Sequence, residues 1–350
     1  MNFRVTKSLP FLVGPAEATP GSTLRLTAMD TALASLPMAA LFIFDRPIDQ
    51  AAETIKRALS RALVPYYPVA GRLAASAHGL TIACTGEDVA LVGALASCTL
   101  QDARLTDPRP LVRVEELTPT YAEHYRKDPP LLLMQVTQFS CGGLVVGVTW
   151  DHVIADGVGM PQFLQDVGEF ARGSPSPSVG PMRLDYCLPD LPPPIISMTK
   201  ALVSSSAHND FPSSDITVPM SFINRVKAEF RGHKDGDYMA PCSPPYGTKA
   251  RVPYTFVDGA AYIAGEMGGR LQGMSGYDTL YVTSWWNLGF DDVDFGAGGP
   301  VRVMGHMERK VVPACILCGR KDKADGVAAM ALCVRVEHQE AFHAELRRLE

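Results

Sequence analysis

Three residues with chemical potential stand close together in Asp151-His152-Val153-Ile154-Ala155-Asp156-Gly157, directly after the apolar run Leu144 to Trp150. A β-branched apolar run bounded by turn residues reads as a strand, so His152 is expected at a strand-to-loop junction. There an imidazole can face a cleft and not the core. With an ordinary pKa near 6.5 it is largely neutral at pH 7 and can take the proton of a hydroxyl as that hydroxyl attacks a carbonyl. Once protonated, it can return the proton to a leaving group. Alone, a histidine at a strand end is more often satisfied by main chain. Asp156 has two readings. It can orient the imidazole, as acids do in catalytic triads, or it can hold the loop in shape, and Gly157 favours the second because glycine permits a tight turn.

A second group lies near the carboxy terminus. Thr283-Ser284-Trp285 falls in the strand-like run Leu280 to Trp286. Hydroxyl and indole donors there suit a developing oxyanion, where one donor is worth roughly 100- to 1,000-fold in rate; the same residues are equally at home as strand packing. Asp294-Phe295-Gly296-Ala297-Gly298 is a glycine-punctuated turn. Its first three residues match a kinase metal-binding triplet, but no Gly-rich phosphate loop, Val-Ala-x-Lys or His-Arg-Asp accompanies them. Cys315 and Cys318 have metal-knuckle spacing without a second Cys or His pair at zinc-site distance, so an apolar core position is expected. His338 and His343 are spaced wrongly for joint ligation. Arg320-Lys321-Asp322-Lys323 reads as a solvated turn, with phosphate contact the lesser reading. No Gly-x-Ser-x-Gly elbow supports a serine hydrolase.

The elements that must position these residues follow from periodicity. Leu33 to Phe44 reads as a buried strand interrupted by Pro37. Asp49 is a candidate cap for a helix with apolar positions Ala52, Ile55, Leu59, Ala62 and Leu63, stopped by Pro65. Leu131 to Thr137 and Leu144 to Trp150, joined through Cys141-Gly142-Gly143, form an expected hairpin feeding the histidine. Met160, Phe163, Leu164, Val167 and Phe170 mark one face of a helix, with Pro161 in its first turn. Gly173 to Pro194 is rich in proline and serine. Residues 222–231 look helical, 232–260 show no period, and Val311 to Leu317 and Met330 to Val336 read as strands before a terminal amphipathic helix.

Composition excludes several classes. Of 350 residues, 47% are hydrophobic and 20% charged, which describes an ordinary globular chain and not a disordered one. The net charge of -5 gives no general attraction to nucleic acid or anionic lipid. No apolar run approaches the roughly 18 residues of a membrane span, no secretory leader or Asn-x-Ser/Thr sequon is found, and eight scattered cysteines suit reduced thiols. A cytoplasmic protein with no nucleic-acid or membrane partner is expected.

His152-x3-Asp156-Gly157 resembles the active-site signature of the plant BAHD acyltransferases. Leu59-Ser60-Arg61-Ala62-Leu63 and Tyr66-Tyr67-Pro68-Val69-Ala70-Gly71-Arg72-Leu73 are similar to that family's amino-terminal blocks, and Asp294-Phe295-Gly296-Ala297-Gly298 is similar to its Asp-Phe-Gly-Trp-Gly. The resemblance covers roughly residues 1–231 and 273–350. It implies a two-domain α/β fold like that of chloramphenicol acetyltransferase, with mixed sheets flanked by helices. The units are an amino-terminal domain over 1–172, a crossover linker over 173–221 and a truncated carboxy-terminal domain over 222–350.

It further implies transfer of an acyl group, hydroxycinnamoyl or another aromatic among the options, from acyl-CoA to a hydroxyl or amine. His152 would be the base, with Thr283, Trp285 and Asp294 in catalytic positions. Asp156 (which in the family pairs with an arginine), Gly157, Phe295, Gly296 and Gly298 would support the site. Acyl-CoA is a co-substrate, no cofactor is permanently bound, no metal is used, and a monomer acting on a small-molecule acceptor is expected. Two departures stand out. Ala297 replaces the family's tryptophan, and the chain is short between residues 231 and 273, which opens the alternative of a catalytically impaired remnant acting as a binding protein.

Overall fold

The structure is a computed structural model. It describes residues 3–26, 30, 34, 37–77, 79–105, 111–121, 128–181, 214–218, 281–285, 288–306, 314–318, 327–331, 340–341 and 344, of which 214–218, 281–284, 314–317 and 327–331 are described by backbone alone. The elements are β1 (Val5–Lys7), β2 (Phe11–Val13), β3 (Ser22–Arg25), β4 (Pro37–Phe44), α1 (Ala51–Ala62), β5 (Arg72–Ser76), β6 (Gly79–Cys84) and β7 (Val89–Ala96). They continue with β8 (Leu132–Gln138), β9 (Leu144–Asp151), α2 (Gly159–Ala171), β10 (Ser214–Val218), β11 (Tyr281–Ser284), β12 (Arg302–His306), β13 (Ala314–Cys318) and β14 (Val327–Ala331).

The main sheet runs β1-β7-β8-β9-β4-β12, with β2 also paired to β7. All eight residues of β4 are buried, because the sheet is covered on both faces and a doubly covered strand reads as a continuous apolar run. Met38, Ala40, Phe42 and Phe44 face one core together with Ile55 and Leu59 of α1 and Phe163, Leu164 and Val167 of α2. Leu41 and Ile43 face a second core with Val145, Leu117 and Met304. The hairpin expected to carry the histidine is present, since β8 and β9 pair antiparallel from Leu132↔Trp150 to Gln138↔Leu144. Its tip turns at Gly142, whose φ of 86° suits glycine. A three-stranded sheet, β3-β6-β5, lies beside it, and a second sheet of four strands runs β10-β14-β13-β11.

Four expectations change. Helix α1 starts after Gln50, which sits in left-handed backbone at φ 45°; Asp49 offers its main-chain carbonyl to Thr54 Oγ1 (3.1 Å) and no side-chain cap. Within the span expected to be a linker, Ser214–Val218 is a strand paired with β14. The strand expected from Met330 begins earlier, at Val327, and the rest of the expected span, 332–336, lies outside the described residues. The fourth concerns the domain boundary: β12 comes from the carboxy-terminal part of the chain yet pairs antiparallel with β4, Arg302↔Ile43 through His306↔Ala39. The amino-terminal sheet is therefore not built from residues 1–172 alone. Local patterning marks a strand but does not say which sheet edge it joins. The helix expected at 222–231, the aperiodic stretch 232–260, the terminal helix, Arg320 to Lys323, His338 and His343 lie outside the described residues, apart from single positions near the end.

Helix α2 is the element on which the site depends. It is tied to the segment after α1 by a polar trio in which Tyr66 and Asp166 are buried and Gln162 is half-buried. Tyr66 donates its hydroxyl proton to Asp166 Oδ2 at 2.6 Å, and Gln162 Nε2 donates to the same hydroxyl at 3.2 Å. Burial raises the Asp166 carboxyl to about 6, opposed by the Tyr66 hydrogen bond, while burial and that carboxylate push the Tyr66 hydroxyl upward.

Candidate active site

His152 occupies the turn between β9 and α2, and main-chain and side-chain bonds on both sides hold that turn. Asp151 Oδ1 accepts from Val153 N at 3.1 Å. The Trp150 indole Nε1 donates to Ala155 O at 2.9 Å. Asp156 Oδ1 accepts from Val158 N (2.9 Å) and Gly159 N (2.7 Å), the first amides of α2. Val153, Ile154, Ala155 and Asp156 are buried, whereas His152 keeps part of its surface accessible. Burial lowers its pKa below the usual histidine value, partly countered by a hydrogen bond to its own main chain. The imidazole is thus neutral at pH 7, the form a general base requires.

No arginine among the described residues pairs with Asp156. Among the described residues its carboxylate bonds only to main-chain amides, capping α2 as an aspartate before a helix does. Burial raises its pKa, the two amide bonds lower it, and the nearby Asp30 raises it further. An oxygen acceptor is what the cap needs, and a charge is not. Asp156→Asn is therefore expected to melt within about 0.5 kcal/mol of the parent. Asp156→Ala, with no acceptor, should lose about 1 kcal/mol, both read from thermal denaturation. A loss in the Asn variant as large as that in the Ala variant would assign the carboxylate an ionic partner.

The carboxy-terminal candidates divide into two groups. Trp285 is buried and stacks on Phe290 with ring centres 4.9 Å apart, and it lies 6.2 Å from the ring of Trp150, two residues before His152. Gly157 faces Leu288: a Cβ placed on it would come 2.8 Å from Leu288 Cδ1. The segment after β11 thus closes against the histidine loop. Thr283 pairs with Ile316 in parallel register, and its side chain lies outside the described residues.

Asp294 belongs elsewhere. Its Oδ1 accepts from Gly296 N (2.7 Å) and Gly298 N (2.8 Å), and its Oδ2 lies 3.5 Å from Arg172 Nη1. The same Arg172 nitrogen donates to Asp294 O. Gly296 and Gly298 adopt φ of 114° and 81°, which glycine alone accepts readily. Phe295 is fully buried edge-on to Phe44 at 5.7 Å, and Ala297 is buried next to it. This turn rests on Gly168 and Arg172, at the far end of α2, some 13 Å along the helix from Gly159 at about 1.5 Å per residue. The geometry gives Asp294 the part of a turn-former and sets it apart from the histidine.

Residues to which sequence reasoning gave no functional part form a stripe on α2. Pro161, Gln165, Gly168 and Arg172 recur at four, three and four residues, and the segment from Gly289 to Asp294 lies along them. No group of side chains suited to a metal ion occurs among the described residues, and Cys318 is buried in the core. No described helix is long and apolar enough to cross a membrane.

Comparison with known proteins agrees with this architecture. Residues 3–211 and 266–349 match the model of the Transferase family. Two similar proteins are acyltransferases by name. Acyl transferase 15 of Oryza sativa subsp. japonica is 33% identical over 441 aligned positions, covering 100% of this chain and 99% of its own. Myricetin 3-O-glucosyl 1,2-rhamnoside 6'-O-caffeoyltransferase AT1 of Crocosmia x crocosmiiflora is 28% identical, covering 99% of each. Among solved structures, vinorine synthase superposes with a TM-score of 0.60 at 18% identity, over 96% of this chain and 98% of that one. F. graminearum TRI101 in complex with coenzyme A and T-2 mycotoxin gives 0.56 at 15% identity, over 92% and 97%.

Proposed function

This chain belongs to the BAHD acyltransferases, and we propose that it moves an acyl group from an acyl-CoA thioester to a hydroxyl or amine of a small molecule, with His152 as the general base. The observation that carries this reading is His152, a partly accessible residue whose imidazole is kept neutral by burial, in a loop held by the Trp150, Asp151 and Asp156 side chains. The acceptor's oxygen or nitrogen attacks the thioester carbonyl as His152 takes its proton. The tetrahedral oxyanion then collapses, the carbon–sulfur bond breaks, and the imidazolium returns the proton to the thiolate of coenzyme A. No acyl-enzyme forms, and no resident cofactor or metal takes part.

Support for the donor comes from a fold neighbour crystallised with coenzyme A. Support for an aromatic acyl group, hydroxycinnamoyl being the first to try, comes from the caffeoyltransferase relative. Thr283 and Trp285 are the proposed lining and donor residues. Asp156, Gly157, Phe295, Gly296 and Gly298 are proposed as supports, and Asp294 takes that supporting role in place of a catalytic one. The working form proposed is a cytoplasmic monomer.

A second reading, an impaired remnant that binds ligand without turnover, is favoured by one observation. Residues 212–265 fall between the two matched stretches of the family model, and the 441 aligned positions exceed the 350 residues of this chain. The decisive experiment incubates the purified chain with caffeoyl-, benzoyl-, malonyl- and acetyl-CoA and a panel of alcohols and amines, following the appearance of free thiol. Thiol release that needs both substrates and disappears in His152→Ala is expected. Binding of coenzyme A without acceptor-dependent release from any donor would establish the remnant reading instead.

A further inference from the structure

The polar side chain in the middle of the α2 stripe has no part in the chemistry proposed above, yet it bridges the two pieces of chain that frame His152. Gln165 Nε2 donates to Gly289 O at 2.7 Å. Gly289 sits at φ 98°, and a Cβ on it would come 2.7 Å from that same nitrogen and 3.7 Å from Pro161 Cβ, so the turn is pressed against the helix. On one side of Gly289 is Leu288, in contact with Gly157 of the histidine loop. On the other is Phe290, whose ring stacks on Trp285 and lies 6.0 Å from Phe42 of β4. The amide grips the turn at the point where it touches both the loop and the end of β11.

We infer that Gln165 is a positioning residue: its hydrogen bond to Gly289 sets the Trp285–Phe290 segment against the His152–Gly157 loop and so fixes the distance between base and proposed oxyanion donors. The inference rests on the general-base reading given above. The need for such a clamp is physical. Strand β11 belongs to the second sheet and His152 lies in the turn after β9 of the first, so no strand pairing sets their separation. A displacement of about 1 Å between reacting groups costs on the order of 100-fold. A side-chain amide is also the group for the task. Gly289 O needs a donor, and a neutral amide supplies one at every pH, whereas a carboxylate supplies one only when protonated.

The test compares the parent with Gln165→Met, which fills similar space without a donor, and Gln165→Glu, which can donate only in its protonated form. Two readouts are taken from pH 5.5 to 8.5. One is kcat and KM for acyl transfer, normalised to the parent at each pH. The other is near-ultraviolet circular dichroism, which reports the Trp285–Phe290 stack whether or not the protein turns over. The expected result for Gln165→Met is a kcat reduced about tenfold or more, KM within about threefold, and a weakened tryptophan signal at all pH values. Gln165→Glu should match it at pH 8.5 and return towards the parent in both readouts as pH falls.

A Gln165→Met variant with parental dichroism, or a Gln165→Glu variant indistinguishable from it at every pH, overturns the clamp. Altered dichroism with kcat within twofold of the parent overturns the positioning role. If the parent itself releases no thiol, the general-base reading fails separately, and the dichroism arm alone then decides whether Gln165 holds the segment.

Discussion

His152→Ala is expected to lower kcat by roughly 100- to 10,000-fold, the range general-base catalysis contributes, while leaving the melting temperature near that of the parent. Stability survives because the loop does not depend on the imidazole for its shape. Asp151 Oδ1, the Trp150 indole and the Asp156 carboxylate hold it through main-chain partners. The parent's pH profile supplies an independent check. Burial lowers the His152 pKa, and the base form is the active one. The acid limb of kcat/KM should therefore fall as pH drops through a midpoint below the ordinary histidine value of about 6.5. That limb should vanish from the residual activity of the alanine variant. A loss smaller than about tenfold, or an acid limb that persists unchanged in His152→Ala, would remove His152 from the mechanism.

The largest structural effect is expected from Gly168→Val, in a helix that otherwise favours larger residues. A Cβ at this position would stand 2.3 Å from Asp294 O and 3.0 Å from Asp294 C, both main-chain atoms, and 3.2 Å from Arg172 Nη1. Backbone cannot swing aside as a side chain can, so either α2 or the 294–298 turn must move. Overpacking of a core typically costs about 1–3 kcal/mol, and here the displacement also threatens the Arg172 bonds to Asp294 and the fit of Phe295 against Phe44. Gly168→Val should sit at or beyond the upper end of that range, whereas Gly173→Ala, with nothing within 4 Å but φ at 92°, should cost less. The comparison is read from urea midpoints at matched slopes. A Gly168→Val protein as stable as the parent would show that the helix and the turn are not in the contact described. Loss of activity in this variant is secondary to the displacement, since Gly168 lies well away from His152 along α2.

These two positions also separate what was legible from what was not. The position of His152 could be read from the chain because its causes are local. An apolar β-branched run makes β9, a glycine-containing tip folds β8 back on it, an aspartate three residues before Gly159 caps α2, and the periodic face of α2 follows. Each of these is set by residues within a few positions of one another. The glycine-rich turn at 294–298 was likewise visible, because left-handed backbone at Gly296 and Gly298 demands glycine wherever it occurs.

Spacing alone did not reveal what those pieces would touch. Asp156 was assigned an arginine by resemblance, and the partners it has among the described residues are the first amides of α2. Asp294, ranked with the catalytic residues, is pinned to Gly168 and Arg172 at the wrong end of α2. Residues 302–306 cross to complete the first sheet beside β4, more than 250 positions away in the chain, and no periodicity encodes which edge a strand will join. The partners of Gln165 and Gly168 were hidden for the same reason. A hydrogen bond to a carbonyl 124 residues distant, or a backbone contact that only a missing Cβ permits, depends on how finished elements pack. The chemistry of this protein is written in local residue types, which the chain itself displays. The placement of the Trp285–Phe290 segment against the His152 loop is decided by packing between elements far apart in the chain, and that energy has no local expression in the sequence.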